Sequence, residues 1–235
     1  MTGRLYGVGV GPGDPELLTL KAARLIDSAQ VIAYPAPDTG ASFARSIVAD
    51  RLSGKREIPI FVPMRIERFP AQEVYDRAAE EIANELAGGH DVVVLCEGDP
   101  FFYGSFMYLF ERLAHRHPVE VVPGVSSLTA AAAELGSPLA ERNDVLRIVP
   151  GPSSDAAIEA ALNEGGPVAF IKVGRHFVRL RDAIARAGRL AHAGYAERLT
   201  LPEQRICALA DHEGPAPYFS MILVPKPPAK GTGHA

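Results

Sequence analysis

Short apolar runs recur along the first half of the chain, at Leu5–Val10, Gln30–Tyr34, Ile58–Val62, Val92–Cys96 and Val119–Val122, with longer segments of helical period between them. That alternation predicts a mostly parallel sheet covered by helices. The run VVVLC at Val92–Cys96 is apolar throughout, as expected of a strand buried on both faces. Between the runs, Val74, Ala78, Ile82 and Leu86 return every four residues, and Gly88 and Gly89 stop the predicted helix. Ser42 is placed to cap a second helix that carries Phe43, Ile47 and Leu52.

The stretch GSPLAERNDV, Gly136–Val145, is polar and aperiodic, and it marks a predicted boundary between two α/β domains, 1–141 and 142–225. After it come VLRIVPG, a helix over Ser154–Glu164, PVAFIKVG, a helix over Phe177–Ala187, HAGYAERLT and YFSMILVP. The last of these alternates apolar and polar residues, which favours antiparallel pairing and so a mixed second sheet. Two domains of unequal character put the default binding site in the cleft between them. The Pro-, Gly- and Lys-rich end, 226–235, has nothing to bury and is expected to form a disordered tail.

Composition narrows the function more than the fold. The 235 residues are 47% hydrophobic and 22% charged with a formal net charge of -4, which gives no whole-chain nucleic-acid footprint. The two cysteines, Cys96 and Cys207, lie far apart without a paired motif, so neither a disulfide framework nor a thiolate zinc site is suggested. No charged leader precedes a long apolar stretch and no apolar run is long enough to span a membrane, so a cytoplasmic protein is expected. Metalloprotease, nucleophile-elbow and calcium-loop motifs are missing, and no metal is expected. Most of the seven histidines read as solvated; His176 is set apart by its place in a candidate site loop.

The chemistry is concentrated in glycine- and proline-bearing loops that follow strands. The first, GVGVGPGDPELLTL at residues 7–20, lacks the third glycine of a dinucleotide fingerprint in either register. It also lacks the Lys-Ser/Thr pair of a phosphate loop, and Asp14 would repel a phosphate. Asp14, Pro15 and Glu16 read as a helix start, and the loop reads either as a tight strand-to-helix turn or as a ligand site free of phosphate. CEGDPFFYGS (96–105), VPGVSSLTAAAAELG (122–136) and KVGRHF (172–177) follow further strands. With parallel strands, such loops gather at the carboxyl ends, where open sheets bind ligands. Ser126 and Ser127 are equally suited to cap the alanine-rich helix. In PMRIERFPAQ, Arg65 and Arg68 suit either a solvated loop or a lid that pairs carboxylates bidentately.

The order of four motifs carries a resemblance. VGVGPGDPELLTLKAARLI, EGDPFFYGS, VPGVSSLTAAAAELG and AERLTLPEQRI together resemble the tetrapyrrole methylase family, up to about Pro225. Within it, FYGSFMYLFERL, KVGRHFVRLRDAI and GYAERLTLPEQRI are most similar to enzymes that methylate carbon 20 of precorrin-2 in cobalamin synthesis. The resemblance implies a homodimer of two-domain α/β subunits with S-adenosylmethionine held in the cleft, largely by main-chain groups, and released as S-adenosylhomocysteine. It places cofactor contacts at Pro12, Glu97, Gly98, Asp99, Phe102, Ser126, Ser127, Lys172 and Ala196. Asp99 is then the expected base or electrostatic partner and Tyr103 an orienting donor, with Arg65, Arg68, Arg175 and His176 facing the substrate's carboxylates. Relatives that methylate uroporphyrinogen have Gly-Gly-Asp where this chain has Glu97-Gly98-Asp99, and Thr-Ala in place of Ser126-Ser127. Two alternatives stay open: a methylase of the same fold acting at another ring position or on another substrate class, such as diphthine or ribosomal RNA, and a nonenzymatic small-molecule binding protein.

Overall fold

The computed structural model of the chain describes residues 2–62 and 69–227. In chain order the elements are β1 (Leu5–Gly9), α1 (Leu20–Ser28), β2 (Val31–Pro37), α2 (Phe43–Ile47), β3 (Arg56–Val62), α3 (Phe69–Ala87), β4 (Val92–Cys96), α4 (Phe106–Leu113) and β5 (Val119–Val122). They continue with α5 (Ser127–Glu134), β6 (Arg147–Pro150), α6 (Asp155–Asn163), β7 (Val168–Ile171), α7 (Phe177–Arg186), β8 (Gly194–Glu197), β9 (Arg205–Ala208) and β10 (Ser220–Val224). Two compact units result, Met1–Ser127 and Leu128–Ala235.

In the first unit the sheet order is β3-β2-β4-β1-β5, with parallel pairing throughout. Because β4 is buried on both faces, alternate residues serve two cores. Val92, Val94 and Cys96 join Leu5, Val31 and Ala33 under α3 and α4. Val93 and Leu95 join Val8, Val10 and Ile32 under α1 and α2. Helix α3 buries Ala78, Ile82 and Leu86, as its four-residue spacing predicts, and ends before Gly88. The helix start read at Asp14 is a 3-10 turn, Pro15–Leu17, in which the Asp14 carboxylate accepts from the Glu16 N–H at 2.8 Å. A second cap then restarts the chain as α1: the Thr19 hydroxyl accepts from the Ala22 N–H at 3.1 Å.

The second unit has a mixed sheet, β6-β7-β10-β8-β9, in which β6 and β7 are parallel and the other pairs antiparallel. Strand β9 has no counterpart among the predicted strands; it is a short edge strand of four residues with both ends exposed. The unit begins earlier than the polar stretch suggests, because α5 belongs to it. Leu135, just past α5, packs so closely on Gly194 that a Cβ there would meet its side chain at 2.8 Å. Gln204 donates to the Glu134 carboxylate at 2.8 Å. His212 is an exception to the reading of most histidines as solvated: it is buried, with its ring 3.8 Å from that of Tyr195 and 4.7 Å from that of Phe177. Among the described residues no helix is long and apolar enough to cross a membrane.

Candidate active site

Strands β1 and β4 are neighbours, yet the chain leaves them in opposite directions. From β1 it crosses through α1 to β2, on one face; from β4 it crosses through α4 to β5, on the other. That reversal is a topological switch point, and the crevice outside the carboxyl ends of such strands is where open α/β sheets bind ligands.

Three loops meet there through their backbones. The Gly11 and Gly98 main chains form an antiparallel bridge, with the Gly98 N–H donating to the Gly11 carbonyl at 2.8 Å. A Cβ on Gly9 would stand 2.5 Å from the Gly98 carbonyl oxygen, and one on Gly124 only 2.1 Å from the same atom. No side chain fits either position, so the glycines of GVGVGPGD and VPGVSS serve close approach of backbone to backbone. Pro12 is buried in the same wall, while Ser126 and Ser127, at the start of α5, are half-buried. Ser126 Cα lies 3.7 Å from the point a Cβ on Gly98 would occupy.

The rim is acidic. The loops after β1, β2, β4 and β5, residues 10–19, 38–42, 97–105 and 123–126, contain Asp14, Glu16, Asp38, Glu97 and Asp99 and neither lysine nor arginine. Of these, Asp99 is fully engaged: Oδ1 accepts from the Phe101 N–H at 2.9 Å and Oδ2 from the Gly124 N–H at 3.1 Å. Its carboxylate therefore ties the loop after β4 to the loop after β5. Glu97 differs. Burial raises its pKa above its ordinary value, and the nearby Ala44 N–H in α2 offsets that only in part. The loop's aromatic side chains extend the rim, with Phe101 and Tyr103 exposed and Phe102 edge-on to Tyr103.

The remaining predicted residues lie elsewhere. Arg65 and Arg68 fall outside the described residues. Lys172, Ala196, Arg175 and His176 belong to the second unit. Lys172 ends the strand β7 segment with φ 55, and Ala196 is wholly buried in β8 between β10 and β9. Arg175 donates to His176 Nε2 at 3.4 Å, and burial together with Arg179 and Arg175 lowers the His176 pKa, so the pair carries its charge on the guanidinium. Among the described residues no carboxylate pairs with Arg175, which lines a pocket of about 660 Å³ with Phe177, Arg181, His212 and Glu213.

Positive φ values occur in loops of both units. Of five non-glycine residues with positive φ among the described residues, Tyr103, Lys172, Arg198 and Thr200 follow strands β4, β7 and β8. Such outliers cost about 1–3 kcal/mol each and collect at functional sites. Sequence reading missed Gln204, which holds the Arg198–Thr200 segment by accepting from the Thr200 N–H at 2.6 Å. It also missed Ala44 in α2, whose N–H lies near Glu97; a sequence carries no signal for either proximity.

Comparison with known proteins agrees with this geometry. Residues 4–210 match the family of Tetrapyrrole (Corrin/Porphyrin) Methylases. The chain is 41% identical to a precorrin-2 C(20)-methyltransferase of Sinorhizobium sp over 95% of each chain. It is 33% identical to a cobalt-precorrin-2 C(20)-methyltransferase of Salmonella typhimurium, over 96% of this chain and 98% of the relative. A solved uroporphyrin-III C-methyl transferase from Thermus thermophilus, complexed with S-adenosyl homocysteine, superposes with TM-score 0.66 at 28% identity, over 94% of this chain and 97% of the other.

Proposed function

Since the chain belongs to the tetrapyrrole (corrin/porphyrin) methylases, we propose that this methyltransferase uses S-adenosylmethionine to methylate carbon 20 of precorrin-2, or of its cobalt-containing counterpart, in cobalamin synthesis. The observation that carries the reading is its full-length similarity to two enzymes named for that carbon.

The rim fits the cofactor chemically. S-adenosylmethionine is cationic at sulfur and has no phosphate, and the four loops at the switch point hold carboxylates without a lysine or arginine. When bound, the cofactor supplies an electrophilic methyl group. Gly98, Phe102, Ser126 and Ser127 offer main-chain and hydroxyl groups for it beside buried Pro12, and Lys172 and Ala196 are the proposed contributions of the second unit. The protein's main task is to hold donor and acceptor at a near-attack distance and exclude water. The exposed aromatic loop Phe101–Tyr103 offers apolar surface for a macrocycle. Arg175, beside a neutral His176, is a fork for one of its carboxylates, and Arg65 and Arg68 are proposed for others. The family resemblance further implies a homodimer, which sedimentation velocity tests.

Anaerobic incubation with methyl-labelled S-adenosylmethionine and precorrin-2 should yield a pigment carrying one added methyl, located at carbon 20 by carbon NMR. Absence of transfer to both the metal-free and the cobalt macrocycle, from protein shown to bind the cofactor, would rule the reading out.

A further inference from the structure

We infer that Glu97 is the proton acceptor of the reaction and that Asp99 is a positioning residue. The inference rests on the methyl-transfer reading above. In that reaction the acceptor carbon forms a bond to the methyl group while the carbon–sulfur bond breaks and leaves its electron pair on sulfur. The acceptor's C–H bond then breaks: its electron pair returns to the conjugated macrocycle and its proton goes to a carboxylate oxygen of Glu97.

Hydrogen bonding separates the two rim carboxylates. Asp99 spends both oxygens on backbone N–H groups, of Phe101 and Gly124, and so fixes the strained turn that ends at Tyr103. Glu97 is the first residue beyond β4, at the switch point, and unlike Asp99 its carboxylate accepts no hydrogen bond of normal length among the described residues; the Ala44 N–H is only near enough to favour its charged form. Among the described residues no cation neutralises it. The adjacent Arg45 is committed to Glu57 through bonds of 2.6 and 2.8 Å. The other titratable groups around it are Cys96 on β4 and Tyr75 on α3, both raised by burial and uncharged near neutral pH, and Asp99 in its own loop. A carboxylate with spare acceptor capacity and a raised pKa is a better proton acceptor than an ordinary one, since a general base gains as its pKa moves up toward the working pH.

The test compares wild type with Glu97→Gln and Asp99→Asn. Glu97→Gln should lower kcat by about 100-fold or more and abolish the acid limb of its pH profile, while S-adenosylhomocysteine affinity stays within about threefold. Asp99→Asn loses one of its two backbone bonds, so it should weaken S-adenosylhomocysteine binding and keep the acid limb. Independently of turnover, the Glu97 carboxyl carbon, identified by its disappearance from the NMR spectrum of Glu97→Gln, should titrate above the ordinary glutamate range. A Glu97→Gln enzyme with near wild-type kcat, an acid limb lost in Asp99→Asn instead, or an ordinary Glu97 titration would each overturn the assignment. A wild-type chain that transfers no methyl to either macrocycle overturns the underlying reading, and this inference with it.

Discussion

Glu97 works against folding at neutral pH. Its pKa is raised in the folded protein by burial, so ionising it is harder there than in the unfolded chain. Below the unfolded value, about 4.3, the carboxyl is protonated in both states and there is no penalty. The penalty grows as pH rises from there through the folded value and is complete above it. Glu97→Gln should therefore melt at a higher temperature than wild type near pH 7.5, with the difference gone by about pH 4. Far-UV circular dichroism is the natural probe, because the chain has no tryptophan. Gly124→Ala should do the opposite at any pH: its Cβ would stand 2.1 Å from a carbonyl oxygen, and a loss of about 3 kcal/mol together with weakened S-adenosylhomocysteine binding is expected. The sequence names Glu97, Gly98 and Asp99 as site residues from their place in EGDPFFYGS. It does not say which carboxyl is tied down, since that depends on Gly124 and Ala44, and residues so distant along the chain meet only once the sheet is assembled.

Among the elements, a strand buried on both faces, Val92–Cys96, is the most legible. The half-buried edge strand Val119–Val122 also runs where its valines indicate, and Phe177 opens α7 as its periodicity predicts. Short edge elements such as β9, and the 3-10 turn before α1, are shaped by sheet pairing and by competition between two caps, which periodicity does not report. A feature of the second kind is Arg189, just beyond α7. It is buried and donates to the carbonyls of Leu162, Gly166, Val224 and Pro225, joining α6, the turn before β7 and the end of β10. Five donors in a fixed fork allow this; a lysine cannot reproduce it. Arg189→Lys should lose about 2 kcal/mol and Arg189→Met about 3 kcal/mol in urea unfolding, because buried carbonyls are left without donors. Gln204→Ala should release the Arg198–Thr200 segment, with a smaller cost of about 1 kcal/mol.

On the scale of the whole molecule, a formal charge of -4 conceals an uneven distribution. The loops of the first sheet's switch point are acidic, while Arg175 and its neighbours lie in the other unit. The carboxylates attract the cofactor's sulfonium but have no such charge to attract once it becomes a thioether. They therefore favour substrate over product in the binding step and do little for the transition state, where the sulfonium charge is already fading. Raising ionic strength should weaken S-adenosylmethionine binding several-fold more than S-adenosylhomocysteine binding, as screening shortens the reach of exposed charges to about 10 Å at 0.1 M. Calorimetric titration of both ligands across a salt series measures this difference. The two-unit plan and the mixed second sheet are visible in the alternation of runs; the point of division is not, because the alanine-rich α5 carries no change of composition to mark it.

The mutual contact of Gly9, Gly98 and Gly124 also bears on how this enzyme can be altered in the laboratory. A clash at Gly9 or Gly124 cannot be relieved by trimming a neighbour, because each meets the main chain of Gly98, while Gly98 itself is held by its φ of +62. In a saturation library Gly9 and Gly124 should tolerate no replacement singly or in combination, Gly98 should accept at most the residues that suit a left-handed backbone, and selection for new substrates will find its productive variation in the side chains around them.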